Sequence, residues 1–457
     1  MNFGLEWKEQ DAINLQNRFR VKPNQIICLS FVLMISIGTL LLTLPISTTN
    51  NMGLHPVDAL FVSTSASCVT GLTVVDLKND LTLFGKIVML LLIQVGGLGI
   101  MTLGTLVVHS MGYRFRQSES MVLQESLNQD SRTGLFSLIR RMIKYTFAVE
   151  GFFSVVLAWH FYPEYGWDCI GYGIFHSVSA FCNAGFDLFG NYESLSGRPD
   201  DLFLMGCLGT LIVLGGIGFT VMYDVMQNHS WRKFSLHTQI VLATTVVLIV
   251  VGGLLIFLVD GQNPKTLANL PLDVQLAQSF FTSVSCRTAG FNTFDLGAST
   301  QITQLVMIIL MFIGASPLST GGGIKSTTFF IIMLSMWTVI RGRNQNEVFG
   351  RRIGKKLVYQ SFAIFTIATI WVVAVGIVLS VIDGEVHELE MVIFETVSAF
   401  GTVGMGIGIT NEWNMWGKLL LSLTMLMGRV GILTFIMAVI KQKESIIKYP
   451  EGNIMIG

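Results

Sequence analysis

The chain has 457 residues, of which 51% are hydrophobic and only 13% charged, with a mean hydropathy of +0.62 and a formal net charge of zero. Soluble domains carry charge on about a quarter of their residues. The composition therefore excludes a soluble enzyme or a nucleic-acid-binding module and points to a multi-pass membrane protein.

In chain order, a polar stretch (1–25) without a small-residue cleavage site precedes the first apolar run, so no removable signal peptide is expected. Eight runs are long enough to cross a hydrocarbon core of about 30 Å as helices: 26–47, 84–108, 141–161, 203–227, 238–260, 301–339, 357–382 and 416–440. Within each successive pair lies a shorter semi-apolar segment: Asp58–Ser67, Ile170–Phe181, Gln275–Ser285 and Met391–Ala399. These are too short to cross and have the length of re-entrant helices. Each leads into a variant of one pattern: SCVTGL (Ser67–Leu72), FCNAGF (Phe181–Phe186), CRTAGF (Cys286–Phe291) and FGTVGM (Phe400–Met405). A phenylalanine stands ten residues before each glycine (Phe61, Phe175, Phe280, Phe394) and a hydroxyl residue eight before it (Ser63, Ser177, Thr282, Thr396), with no gap needed. Four windows in register read as four copies of one supersecondary unit.

The expected fold is an all-α membrane protein of eight transmembrane helices plus four re-entrant pore helices. These form four outer helix–pore helix–inner helix (M1-P-M2) repeats, 26–108, 136–227, 237–340 and 357–440, in a pseudo-four-fold arrangement. Segments 1–25, 109–144, 228–236, 340–356 and 441–457 hold 21 of the 29 Lys and Arg. The positive-inside rule makes the N-terminus, the linkers 109–135, 228–236 and 341–356, and the C-terminus 441–457 cytoplasmic. The same basic segments suit lipid headgroups or a docking partner. Two full spans per repeat keep all four repeats in one orientation, unlike inverted-repeat transporters. The six cysteines lack metal-ligand spacing and read as small buried hydrophobes.

Loops that follow pore helices can aim backbone carbonyls at a shared axis, where they replace a cation's hydration shell. Glycine lets such loops crowd together. The candidate ion-binding residues are Val69, Thr70 and Gly71; Asn183, Ala184 and Gly185; Thr288, Ala289 and Gly290; Thr402, Val403 and Gly404. The C-termini of the pore helices, each carrying about half a negative charge, would favour a cation there.

Residues Gly314–Thr328 read GASPLSTGGGIKSTT. Proline and glycine disfavour a helix interior by about 3 and 1 kcal/mol, so the third inner helix should break into two halves around a loop that lines a cavity. That loop is the candidate gate: Gly314, Ser316, Pro317, Ser319, Thr320, Gly321, Gly322, Gly323 and Lys325. A phosphate-binding P-loop is rejected, because Ile324 separates Gly323 from Lys325. Arg429, inside the fourth inner helix, must face a cavity or a partner, and contact with carbonyls of the Gly314–Lys325 loop is expected. Gly96–Gly97, Gly215–Gly216 and Gly314 sit at comparable places in the other inner helices, as packing or hinge positions. His176 and Glu395 read as structural hydrogen-bonding groups in pore helices. Glu150 reads as an ion site or a packing contact, and Arg287 as the partner of a nearby acid.

With these motifs in place, the chain resembles the membrane subunit of the Trk/Ktr/HKT superfamily of potassium transporters, most closely the KtrB type, over roughly residues 20–440. Larger Trk-type subunits carry an extra helix pair ahead of the first repeat, and only about 25 polar residues precede it here. The resemblance implies potassium as the transported ion, bound only at the filter residues, and an intramembrane gate in the Gly314–Lys325 loop that Arg429 steadies when closed. Plant relatives with serine at the first filter glycine are linked to sodium selectivity, so Gly71 implies potassium. It further implies a homodimer in the bacterial cell membrane and a separate cytosolic ring of KtrA/TrkA type that binds ATP, ADP or an NAD-like nucleotide. No cofactor is expected in this chain, and no catalytic constellation is present in the sequence. The alternatives are a sodium-selective or sodium-coupled pore of the same fold, an unrelated secondary transporter, and a membrane enzyme.

Overall fold

The computed structural model describes residues 23–99, 135–384 and 386–439. The segments 1–22, 100–134 and 440–457 lie outside the described residues, and with them most of the proposed N-terminal, 109–135 and C-terminal cytoplasmic regions. The first repeat contains α1 (Pro23–Leu42), α2 (Pro56–Cys68) and α3 (Leu83–Leu98). The second contains α4 (Leu135–Tyr165), α5 (Cys169–Phe181), α6 (Leu202–Gly216) and α7 (Phe219–Asn228). Next come α8 (Leu236–Asp260), α9 (Leu272–Ser285), α10 (Gln301–Phe312) and α11 (Ser326–Ile340). The fourth repeat contains α12 (Lys355–Asp383), α13 (Leu389–Gly401), α14 (Met415–Val430) and α15 (Ile432–Val439). A two-residue hairpin, β1 (Glu347–Val348) with β2 (Arg351–Arg352), joins α11 to α12.

Besides the third inner run, which breaks into α10 and α11 as expected, two of the eight expected spans are not straight helices. Run 203–227 is the pair α6–α7, bent by 96°, and run 416–440 is the pair α14–α15, bent by 103°. The glycine at each break, Gly218 (φ 91°) and Gly431 (φ 93°), holds a backbone conformation closed to most side chains. Among the described residues, four helical stretches are long and apolar enough to cross a membrane, and up to six if each bent pair counts as one.

Burial is inverted relative to a soluble protein. The long helices α1, α8 and α12 expose Leu33, Leu40, Val246, Leu258, Ile370 and Val381, whereas the short helices bury Ser65, His176, Ser179, Gln278, Ser285, Glu395 and Ser398. Lipid makes this sensible, because polar groups must be satisfied inside the protein. Each inner helix begins with a side-chain cap that accepts from its first turn: Thr82 from Gly85 (3.3 Å), Asp201 from Leu204 (3.0 Å), Thr300 from Thr303 (3.3 Å) and Asn414 from Gly417 (3.0 Å). Such caps are worth about 1 kcal/mol each.

The packing order closes a ring. Within repeats, α2 packs on α1 and α3, α5 on α4 and α6, and α13 on α12 and α14. Between repeats, α3 packs on α5, α6 on α9, α10 on α13, and α14 back on α2. Each inner helix thus leans on the next repeat's short helix, and the fourth leans on the first.

The ungapped alignment of the four windows fails in the third repeat. Ser63 and Ser177 donate to the outer-helix carbonyls of Ile35 (2.9 Å) and Glu150 (2.8 Å). In the third repeat Ser283, and not Thr282, makes that bond, to Ile249 (3.0 Å), while Thr282 pairs with Thr293. Phe281, fully packed, likewise takes the place expected of Phe280. The true match is Ser177-Val178-Ser179 with Ser283-Val284-Ser285, so one residue is missing between the third short helix and its glycine.

At the acidic end of the bundle, His387 bridges two carboxylates: Nδ1 to Asp383 (2.9 Å) and Nε2 to Glu412 (2.9 Å). Asp383 first, with Glu412, raises the imidazole above its ordinary pKa against the opposing effect of burial. A raised histidine contributes stability that is complete below its unfolded pKa of about 6.5 and disappears as pH rises through the folded value. His387→Ala should therefore lower the melting temperature at pH 6 and have little effect at pH 9. The loss should be at most about 1 kcal/mol, the scale of solvent-accessible pairs. An equal loss at both pH values in thermal melts would contradict the assignment.

Candidate functional site

The four glycines meet at one centre, in cyclic order. A Cβ added to Gly71 would lie 2.6 Å from the carbonyl oxygen of Ala184, and one added to Gly185 would lie 2.6 Å from that of Ala289. One on Gly290 would run into the oxygen of Val403, and one on Gly404 into the oxygen of Thr70. The carbonyls of Thr70, Ala184, Ala289 and Val403, each one residue before a glycine, thus form a ring of peptide oxygens with a glycine Cα beside each.

The backbone in each loop alternates in handedness. Val69 (φ 57°), Asn183 (φ 59°), Thr288 (φ 76°) and Thr402 (φ 50°) are left-handed, as are the glycines (φ 103°, 70°, 81° and 89°), while the residue between them is not. Alternation of this kind turns successive carbonyls to the same side, where an extended strand would turn them apart. Left-handed non-glycine residues cost about 1–3 kcal/mol each and persist only where the surroundings hold them.

Here the hold comes from buried serines at the ends of the short helices. Ser65 accepts through Oγ from Gly71 N–H (3.1 Å), and its carbonyl takes Thr70 N–H (2.8 Å). Ser398 does the same for Gly404 (3.1 Å) and Val403 (2.9 Å). Ser179 takes Ala184 N–H on its carbonyl (2.7 Å) and donates to Phe186 (2.6 Å); Ser285 takes Ala289 N–H (2.9 Å) and donates to Phe291 (2.7 Å). The loop amides are tied back to the helices, which leaves the carbonyls free to face the centre. The sequence reading missed these serines, although Ser-Ala six residues before the glycine stands in three of the four windows.

The inner helices come close because they carry glycine at one level. Side chains at Gly96, Gly215 and Gly428 would overlap the carbonyls of Ser67, Phe181 and Phe400, each four residues before a ring glycine. Gly428 is thus the counterpart of Gly96 and Gly215. Gly314, expected to match them, instead abuts Gly322 in the loop of its own repeat.

The chain between α10 and α11 is not helical, and it lies directly beneath the ring. Gly321 abuts the Thr288 hydroxyl, and Gly322 N–H donates to Thr402 Oγ1 (3.0 Å). Ser316 N–H and Thr320 N–H donate to Gly216 (3.1 Å) and Gly215 (3.3 Å), Thr320 Oγ1 to Phe181 (3.1 Å), and Gly323 N–H to Gly428 (3.2 Å). Pro317 O lies beside Gly218, and Leu318 O accepts from Phe219 N–H (2.9 Å), which joins the loop to the α6–α7 bend. Ser319 caps Ser316 O (2.6 Å), Ser316 pairs with Ser326 (3.0 Å), and Lys325 Nζ donates to Gly321 O (2.7 Å). Arg429 donates to Thr320 O in the loop and to Gly96 O and Gly97 O (3.1 Å) at the end of α3. One guanidinium therefore ties together the first, third and fourth repeats. Among the described residues, Arg429 and Lys325 have no acidic partner.

On the opposite side of the ring opens a cavity of about 290 Å³, lined by the four glycines and by Asp76, Asp187, Asn292, Thr410 and Asn411. Asp76 is held by the amides of Lys78 (2.9 Å), Asn79 (3.2 Å) and Asn191. These loop acids carried no periodic signal in the sequence.

The remaining singled-out residues are structural. His176 bonds Tyr172 O (2.8 Å) and accepts from Leu188 N–H (3.3 Å); Glu395 accepts from Thr410. Glu150 accepts from Gln94 Nε2 on both carboxylate oxygens (3.2 and 3.1 Å) and from Cys182 Sγ (3.8 Å), a packing contact that joins α4 to α3 and to the second glycine loop. Arg287 is buried but, against expectation, has no acidic partner among the described residues, and its Nε is unpaired. All six cysteines are free.

A model of the TrkH family, described as a cation transport protein, matches residues 4–449. The chain belongs to this family. It is a family of membrane cation transporters and not of enzymes. The chain is 39% identical over 440 residues to the Ktr system potassium uptake protein B of Bacillus subtilis (strain 168), with 96% of this chain and 97% of that protein covered. It is 38% identical to the protein of the same description from Vibrio alginolyticus (95% and 94% covered). It is 36% identical to the potassium/sodium uptake protein NtpJ of Enterococcus hirae (96% and 98% covered). The crystal structure of the potassium transporter TrkH from Vibrio parahaemolyticus superposes with a TM-score of 0.71 at 18% identity, covering 91% of this chain and 84% of that one, which shows a shared fold. The family reached from the four glycine windows is the one these comparisons give.

Proposed function

We propose that the chain is the potassium-conducting subunit of a bacterial uptake system, with the ring of Thr70, Ala184, Ala289 and Val403 carbonyls as its selectivity filter. The observation that carries this reading is the closed cyclic order of four glycine loops, each with an oxygen in place of a side chain at the centre. A dehydrated cation needs several oxygens at once, and peptide carbonyls supply them without a fixed charge that would trap the ion. The cavity bearing Asp76 and Asp187 is the outer mouth, and the basic loops face the cytoplasm, as the positive-inside rule requires. The Gly314–Lys325 loop with Arg429 forms the gate. Potassium is the substrate, with no other metal in this chain. The phrase "Ktr system" in the relatives' descriptions fits a multi-component assembly. The reading accordingly includes a homodimer of this chain and a cytosolic ring of KtrA/TrkA type that takes the nucleotide.

One second reading has a specific support: the potassium/sodium description of the Enterococcus hirae relative makes sodium passage or coupling the nearest alternative. Expression in a bacterium lacking potassium uptake tests both. Growth on low-potassium medium that is unaffected by sodium supports the first reading; growth rescue that requires sodium supports the second, and no rescue with a matched cytosolic partner refutes both. Gly71→Ser sharpens the test at the filter. Its Cβ would press on the Ala184 oxygen at 2.6 Å from a φ of 103°, which displaces one ligand of the ring. The potassium-over-sodium preference should fall about tenfold, equivalent to ~1.4 kcal/mol of differential coordination. Unchanged selectivity in flux assays would remove Gly71 from the filter.

A further inference from the structure

We propose that the cleft between α11 and α12 is a binding site for one anionic glycerophospholipid, with an acyl chain along its floor and the phosphate at its basic mouth. The cleft encloses about 480 Å³ between Met336 and Val339 on α11 and Val358 and Phe362 on α12, with Arg343 and Lys355 at the mouth. It is a built feature. The connector folds back on α11 through Arg343 N–H to Thr338 O (3.0 Å) and Asn346 Nδ2 to Ser335 Oγ (3.0 Å), and Ile353 N–H then closes on Asn346 O (2.9 Å).

The floor selects the occupant. Its hydroxyls, Ser335 and Thr338, already donate to Ile331 O (2.7 Å) and Leu334 O (2.8 Å) of their own helix. An extended peptide segment lying there would leave its backbone groups unsatisfied, whereas a hydrocarbon chain has none to satisfy. Depth agrees. The 29 residues of α12 span about 43 Å at 1.5 Å each, against a hydrocarbon core of about 30 Å. Its first turns, with Lys355, therefore stand at headgroup level, and Phe362 lies about 10 Å deeper. Charge selects the headgroup. Between residues 341 and 356 stand Arg341, Arg343, Arg351, Arg352, Lys355 and Lys356 against the single acid Glu347, whose register partner is Arg352. Arg343 and Lys355 have no ion-pair partner among the described residues. Basic side chains at this depth favour anionic over zwitterionic lipid.

The test is a titration of the delipidated protein in neutral detergent with phosphatidylglycerol or phosphatidylcholine, followed by melting temperature and by lipid retained in native mass spectrometry. Phosphatidylglycerol should raise the melting temperature and remain bound, and phosphatidylcholine should do neither. The pair Arg343→Gln and Lys355→Gln should weaken phosphatidylglycerol binding about thirtyfold with the lipid-free melting temperature unchanged. Equal response to the two lipids, or undiminished preference in the double variant, would overturn the site. Should the double variant fail to fold, photoactivatable phosphatidylglycerol on the unaltered protein decides: adducts must fall within residues 335–362, and adducts elsewhere refute the proposal. A covalent dimer formed specifically by Val339→Cys in native membranes would show that a second copy occupies the face, and would refute it equally.

Discussion

Gly404→Ala is expected to abolish potassium uptake, by at least about 100-fold, or ~2.7 kcal/mol on the barrier to permeation, while the protein still reaches the membrane. Its φ of 89° is closed to most side chains, and its new Cβ would collide with the Thr70 carbonyl oxygen and the Gly71 Cα. The handedness penalty is about 1–2 kcal/mol, small against a typical folding stability of about 5–15 kcal/mol. The damage is therefore confined to the ring. The four positions should not be equivalent: alanine at Gly404 and Gly290 intrudes further on the neighbouring oxygen than at Gly71 or Gly185, where the separation is 2.6 Å. Uptake should fall in that order. Gly151→Ala is the control, since it lies within α4 with no atom within 4 Å of its new methyl. It should transport normally and gain up to about 1 kcal/mol of helix stability. Rubidium uptake at matched surface expression measures all five variants. Normal transport by Gly404→Ala would mean that ions do not pass through the ring.

The glycine windows were legible because their chemistry is local and repeats. A short buried helix, a left-handed residue and a glycine must all fit in one stretch of chain, and the same solution appears four times. Arg429 and the Gly314–Lys325 loop were legible for a related reason, since a charge and a helix-breaking run in an apolar span need a specific partner. What stayed hidden depends on long-range packing. Nothing local says that α3 leans on α5 and α14 returns to α2. The missing residue before Gly290 was masked because Phe280 and Thr282 mimic the pattern that Phe281 and Ser283 fulfil. The bends at Gly218 and Gly431 arise where loop and helix ends compete for the same carbonyls, which hydropathy cannot register. Arg287 was assigned an acid by general rule, and only the fold shows that it forms no ion pair among the described residues.

Deletion of Ser316–Gly323 should raise potassium uptake several-fold and make it independent of any cytosolic partner. The chain can accept the cut. Ile313 already bridges Ile324, and Ala315 O accepts from Ser326 N–H (3.2 Å), so the ends to be joined are neighbours. The deletion removes the backbone that abuts Thr288 and Thr402 beneath the ring, and it returns the Gly215, Gly216 and Phe181 carbonyls to a hydrated path. Arg429→Ala should act in the same direction but less strongly. It releases the Thr320 carbonyl while leaving the loop in place, and it withdraws a cation from the path. A unit charge about 8 Å from a passing ion, at an effective dielectric of about 20, repels it by ~2 kcal/mol. The combination is the sharper measurement. If arginine works only by holding the loop, adding Arg429→Ala to the deletion should bring little further gain, the non-additivity expected of parts of one device. A full second increment would give Arg429 an independent electrostatic role. Slower uptake by the deletion variant at equal surface expression would mean that the loop supports the pore and does not close it.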